Sequence, residues 1–176
     1  SLNRLPASLE RIDAGAFTLN EFIDLNLEGA YSTSRITIWN YAFSANTKLA
    51  TVVIWKWIKS IWDWAFQRTY SQGTYEGNGI NSLQITSTVL ETIGRQAFEN
   101  QEITSITIPS SMTSIGMSAF YNNKITSAIT LPNGMTTLWW AAFARNQITS
   151  VTIPSSMTSI GEMAFSSNKL TSLTMP

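Results

Sequence analysis

Trp39, Tyr41, Trp55, Trp57, Trp62 and Trp64 crowd six indole and phenol rings into residues 39–64, and five of the chain's seven tryptophans are among them. Flat apolar faces with one polar edge act by stacking and desolvation, so the chemistry they offer is contact with a protein surface or a sugar ring. In IWKWIKSIWDWAF, Lys56 and Lys59 sit between the rings. Arg68, Tyr70 and Tyr75 follow in QRTYSQGTYEGNG, residues 67–79, a Tyr, Ser, Gly and Asn mixture like that of adaptable binding loops. Catalysis has less material. The chain contains no Cys and no His, which excludes thiol nucleophiles, zinc sites with nitrogen or sulfur ligands, and Ser-His-Asp triads. Asp63 lies between Trp62 and Trp64, and a glycosidase acid there needs a second carboxylate about 5–9 Å away. Only Asp13 or Asp24, from distant parts of the chain, are candidates. The chain therefore reads as non-enzymatic, without cofactor or metal.

Composition narrows the partner. Eleven basic residues balance eleven acidic ones, and 12% of residues are charged, against about 25% in an ordinary domain. That leaves no electrostatic footprint for nucleic acid or an anionic membrane. Ser, Thr and Asn solvate the surface instead, which suits a neutral ligand or a flat protein face. No run of about 18 apolar residues is present to span a bilayer as a helix, so membrane insertion is not expected. SLNR at the N-terminus has no signal-peptide layout. Because the chain starts inside one repeat and stops inside another, it reads as a fragment of a longer array.

What positions the rings is a repeat. Ala-Phe recurs at Phe17, Phe43, Phe66, Phe98, Phe120, Phe143 and Phe165, at intervals of 26, 23, 32, 22, 23 and 22 residues. ITSITIPSSMTSIGMSAF and its copy around Phe165 differ at few places. Within a unit, Ile103, Ile106 and Ile108 form an extended run ended by Pro109, Met112 and Ile115 supply further inward positions, and Ala119-Phe120 closes the coil. No single unit buries its own apolar side chains, so the units must stack. An Asn three residues past the Phe (Asn20, Asn46, Asn123, Asn146, Asn168) is a structural column, suited to a left-handed turn or a hydrogen-bonded ladder. The expected fold is one right-handed leucine-rich-repeat-like solenoid over residues 1–176, mainly β with short turns and 3-10 segments. It has about seven coils of 22–23 residues, and 67–79 is an inserted loop.

The pattern LxxIxIPxxMxxIGxxAFxxN, as in ITSVTIPSSMTSIGEMAFSSNKLTSLTMP, resembles the BspA-like class of bacterial leucine-rich repeats. The resemblance covers the whole chain, most plainly from about residue 80 onward. It implies a secreted or cell-surface protein with a non-catalytic binding role, often adhesion to host matrix proteins or other cells. No functional residue of that class transfers position by position.

Breaks in the repeat are therefore where specific function is to be sought. The Gly column reads Asp13, Trp39, Trp62, Gly94, Gly116, Trp139, Gly161, and two positions on it reads Gly15, Tyr41, Trp64, Gln96, Ser118, Ala141, Met163. Trp39, Tyr41, Trp62 and Trp64 are thus expected to form a two-by-two outward plate, with Trp55 and Trp57 beside it and the 67–79 loop at its rim. Four readings of the cluster stay open: rings packed for stability, a protein interface or self-association surface, a sugar-stacking platform, and deliberate engineering; for the chain as a whole, a mere spacer in a surface rod is a further alternative. A smaller insertion, GAYSTSR at residues 29–35, is less informative. Polar ladders such as Ser150-Thr152 and Ser172-Thr174 read as a solvated strand face, their register slipping at Ala128. Leu2, Leu5 and Leu9 at one end, and Leu170, Leu173 and Met175 at the other, are expected to leave apolar edges uncapped.

Overall fold

The computed structural model describes residues 6, 8–27 and 35–176. It is a β-solenoid of seven coils, numbered here by the Phe each contains. One parallel sheet takes a short strand from every coil: Arg11–Ile12, Ile36–Ile38, Ile58–Ile61, Thr92–Ile93, Ser114–Ile115, Thr137–Leu138 and Ser159–Ile160. Strands of two to four residues follow from the Ile and Thr alternation, which turns one apolar side chain inward per pair and leaves the other wet. Residues 29–34 of the smaller insertion, together with Leu2 and Leu5, lie outside the described residues.

A second row of strands is interrupted. Asp24–Asn26, Thr51–Ile54 and Ser82–Ile85 form one sheet, Ile129–Thr130, Ser150–Thr152 and Ser172–Thr174 another, and the coil 5 segment between them joins neither. The extended run expected at Ile103, Ile106 and Ile108 is thus no strand, although Ile103 and Ile106 are buried. Coil 6 carries one extra residue at Ala128, and the Ser127 hydroxyl takes the ladder's place by accepting from the Ile106 N–H at 3.3 Å. Beyond it a groove of about 450 Å³ opens between Ile108 and Pro132.

The third side of each coil is the Ala-Phe corner. Residues there alternate between two kinds of hydrogen bond. Ala142 and Ala144 donate N–H groups three residues back, to Trp139 and Ala141, whereas Ala141, Phe143 and Arg145 donate to the next coil, to Glu162, Ala164 and Ser166. Left-handed residues make this alternation possible: Tyr41, Trp64, Gln96, Ser118, Ala141 and Met163 have φ between 50° and 59°, and coil 1 has Gly15 at 66°. A positive φ every fourth residue breaks any 3-10 run, and among the described residues the expected 3-10 segments are chained turns instead.

Phe rings stack along the axis at 4.9 to 5.5 Å from coil to coil. The five inner rings are buried, and Phe17 and Phe165, each covered on one side, are half-buried. Asn side chains tie this column down, and the left-handed residue is the one before each Asn, not the Asn itself. Asn123 donates to the Phe98 carbonyl and accepts from the Ile103 N–H, and in coil 4 Gln101 does the same for Phe66 and Ile80. The last coil leaves Leu170, Leu173 and Met175 exposed, as expected, and Leu9 is partly covered.

A non-glycine residue in the left-handed region costs about 1–2 kcal/mol. Met163 sits there 53% exposed, with little packing to lose. Met163→Gly is therefore expected to raise stability by about 0.5–1 kcal/mol after glycine's own entropy is counted. A denaturant midpoint that falls would refute this account of the corner.

Candidate aromatic contact surface

Trp39 and Trp62 end equivalent strands in coils 2 and 3, so the inter-coil ladder brings their indoles together. Trp62 donates its N–H to the Ile38 carbonyl, and the two rings stack at 5.0 Å with planes 6° apart. Two residues on, Tyr41 and Trp64 occupy the left-handed position and stack at 5.2 Å, 2° apart. Centroid spacings equal to the coil step mean that both pairs stack along the solenoid axis. Trp39, Tyr41 and Trp62 are exposed, Trp62 by 44%. Trp64 is half-buried: Tyr41 covers one face, the Arg95 guanidinium lies 5.3 Å from the ring centroid, and its N–H donates to Gln96 Oε1.

Trp55 and Trp57 do not join this plate. They precede strand Ile58–Ile61 while Trp62 and Trp64 follow it, and an extended strand of that length separates the pairs by roughly 15 Å. Both are half-buried, their indole Nε1 atoms are covered without a hydrogen-bond partner, and the Lys56 ammonium lies 4.9 Å from the Trp57 ring. Proximity in sequence misleads here because the chain passes through a whole strand between the two pairs.

Loop 67–79 is better ordered than its composition indicates. Tyr70–Ser71 and Thr74–Tyr75 pair as a small antiparallel hairpin across Gln72 and Gly73, both at positive φ, and the two Tyr rings meet at 4.9 Å. The loop then returns to coil 2, where Asn78 donates to the Thr47 carbonyl. Gly77 allows this, since a Cβ would stand 1.9 Å from that oxygen. Arg68 is the anchor. Its guanidinium donates to the carbonyls of Asn100 and Gly77 at 2.8 and 2.6 Å, and its side chain is 13% exposed. It holds the loop down and its side chain is largely covered, whereas Tyr70 and Tyr75, the other two candidates in the loop, are exposed.

A polar chain runs from the plate across coil 4 toward the hairpin. Trp64 donates to Gln96, and Gln96 Nε2 donates to the Glu99 carboxylate at 2.6 Å. Burial pushes the Glu99 carboxyl above its ordinary pKa, against the Gln96 hydrogen bond and the Arg95 charge. Burial, then the Glu99 charge, raises the Tyr75 hydroxyl. Asp63 Oδ1 accepts the Arg95 backbone N–H at 2.7 Å, a structural cap between coils 3 and 4. Among the described residues no group of acidic side chains is arranged to hold a metal ion, and no helix is long and apolar enough to cross a membrane.

A family model described as the BspA type leucine-rich repeat region, in six copies, matches residues 2–76 and 68–176. The chain belongs to the BspA-type leucine-rich repeat family. A solved leucine-rich repeat protein from Eubacterium ventriosum is similar over 88% of this chain at 14% identity, with a TM-score of 0.41. This chain spans 60% of that protein's length. No curated protein sequence matches it. BspA-type repeats are typical of bacterial surface proteins and generally non-catalytic.

Within this BspA-type frame the structure adds two exposed rings, Trp139 and Trp140 of coil 6, that were not among the candidate residues. Trp139 already stood out as the third Trp in the Gly column, which was the available signal. The same column shows why Gly is used elsewhere. A Cβ on Gly94, Gly116 or Gly161 would stand 2.5 to 2.7 Å from atoms of the preceding coil, mostly its backbone. Those coils therefore sit flush against the preceding one at this position.

Proposed function

We propose that this chain is a non-catalytic binding and adhesion module of a secreted or cell-surface bacterial protein. Its contact surface is the stacked plate of Trp39, Tyr41, Trp62 and Trp64, with the Tyr70–Tyr75 hairpin at the rim. The observation that carries this reading is the exposure of rings already stacked and locked on a rigid scaffold: they lose little conformational entropy on binding, and desolvated aromatic anchors supply most of an interface's energy. A protein face suits them better than a sugar. Stacking within the plate covers one face of Trp39 and of Trp62, and Trp64 is sandwiched, so the plate offers few open ring faces for a sugar to stack on and a longer rim of ring edges.

The test displays the chain on a non-adherent bacterium and measures attachment to surfaces coated with host matrix protein. Trp62→Ala combined with Trp64→Ala is expected to cut attachment about tenfold or more, the loss of one or two anchors worth over 1 kcal/mol each. The melting temperature should fall only a few degrees. Attachment indifferent to these changes would refute the plate as the contact surface. Binding on a glycan array abolished by the same variant would transfer the surface to carbohydrate.

A further inference from the structure

Along the Gly column, coils 2 and 3 carry Trp39 and Trp62, and coils 4 and 5 carry Gly94 and Gly116. The register is fixed by ladder hydrogen bonds from Trp62 to Ile38, Gly94 to Ile61 and Gly116 to Ile93. Two filled places are thus followed by two bare ones. Such a sequence is self-complementary under a two-fold axis perpendicular to the solenoid and passing between coils 3 and 4. The axis sets coil 3 of one copy against coil 4 of the other, and coil 2 against coil 5. Trp39 and Trp62 of each copy then face Gly116 and Gly94 of the other, in both directions, as an isologous interface requires, while Trp139 on coil 6 falls opposite Asp13 on coil 1.

The neighbouring column has the matching charges. Asp63 follows Trp62 on coil 3, and Arg95 follows Gly94 on coil 4. The same axis brings Asp63 of each copy opposite Arg95 of the other, once on either side. Asn40 on coil 2 and Met117 on coil 5 form the uncharged flank. With zero net charge the chain does not repel a second copy of itself. On coil 6, Trp140 falls opposite Ala14 of coil 1, where the small side chain leaves room.

We infer that the aromatic plate seats a second copy of this chain, in an antiparallel two-fold dimer that lays Trp39 and Trp62 of each copy over Gly94 and Gly116 of the other. The inference rests on the plate being a contact surface and names its partner. A heterologous contact through the exposed end of the solenoid would give open chains of increasing length, whereas this interface closes at two.

Sedimentation equilibrium of the purified chain tests it. The wild type is expected to be a dimer that does not grow further with concentration, and Trp62→Ala a monomer with the wild-type circular dichroism spectrum. Asp63→Arg and Arg95→Asp each place like charges across the axis and are expected to weaken self-association at least tenfold. Mixing the two variants restores dimers, because each introduced charge then meets its opposite in the mixed pair. Should Asp63→Arg fold poorly for want of its cap on the Arg95 N–H, Arg95→Asp decides alone, since it keeps that cap: a folded Arg95→Asp chain that dimerises as tightly as the wild type overturns the dimer. A wild type that stays monomeric at its solubility limit, an open-ended polymer insensitive to Trp62→Ala, or folded charge variants that do not recover on mixing would each overturn the dimer. Monomers whose attachment to matrix-coated surfaces still depends on Trp62 would overturn the second copy alone and leave the plate as a contact surface for another protein.

Discussion

Phe120→Ala is expected to lower stability by about 3–5 kcal/mol, while Phe165→Ala lowers it by about half as much. The two substitutions remove the same atoms from the same column. Phe120 is fully buried and stacks on both sides, at 5.5 Å from Phe98 and 5.3 Å from Phe143. Phe165 is half-buried and stacks only on Phe143. A cavity in coil 5 is therefore lined by two neighbouring coils that cannot collapse into it, because their Asn and Phe backbones are laddered together. Coils touch only their neighbours, so stability is a sum of unit and interface terms, and weakening coil 5 loosens two interfaces at once. The thermal midpoint should drop by roughly 6–20 °C for Phe120→Ala, and the transition should broaden as the two flanking halves begin to melt separately. Equal losses for the two variants would mean that the ring column is not the continuous core described.

Much of this was legible in residue spacing. A column in a solenoid is a set of sequence positions at fixed offset, so the Phe and Asn columns, and the outward pairing of Trp39 with Trp62 and Tyr41 with Trp64, follow from alignment of the repeats against one another. Three things did not follow. The corner holds Tyr41, Trp64 and Gln96 in left-handed backbone, against their intrinsic preference, because each N–H there bonds the next coil and tertiary hydrogen bonding outweighs local propensity. The Ala128 insertion showed that register slips, yet not that the Ser127 hydroxyl would substitute for a strand. Arg68 looks like a solvated loop charge in sequence. Its role depends on where the loop lands, and nothing local encodes the carbonyls of Asn100 and Gly77 that it holds. Trp55 and Trp57 mislead for the opposite reason: they are near Trp62 along the chain and a strand away in space.

Asn146→Asp is expected to destabilise the solenoid more than Asn146→Ala at neutral pH, although it is the smaller change in shape. Asn146 is buried and works in both directions. Its amide nitrogen donates to the carbonyls of Phe120 and Phe143 at 2.8 and 3.1 Å, and its oxygen accepts from the Ile125 N–H at 3.1 Å. Alanine leaves those groups unpaired, at about 1–3 kcal/mol for each buried group that water cannot reach, for a total of at least about 3 kcal/mol. A carboxylate keeps the acceptor but turns a donor into negative charge facing two carbonyl oxygens, so it adds repulsion and the burial of an unpaired charge. Protonation cures part of this, because a neutral carboxyl again has one donor. The introduced group thus has a folded pKa above its unfolded value of about 3.9. Its contribution is fully present below that unfolded value and is lost as pH rises through the folded one. Urea midpoints measured from pH 4 to pH 8 should show the Asp variant losing stability relative to the Ala variant as pH increases. A pH-independent difference between them would mean that the Asn column does not donate to the Phe carbonyls, and that some other contact holds the corner closed.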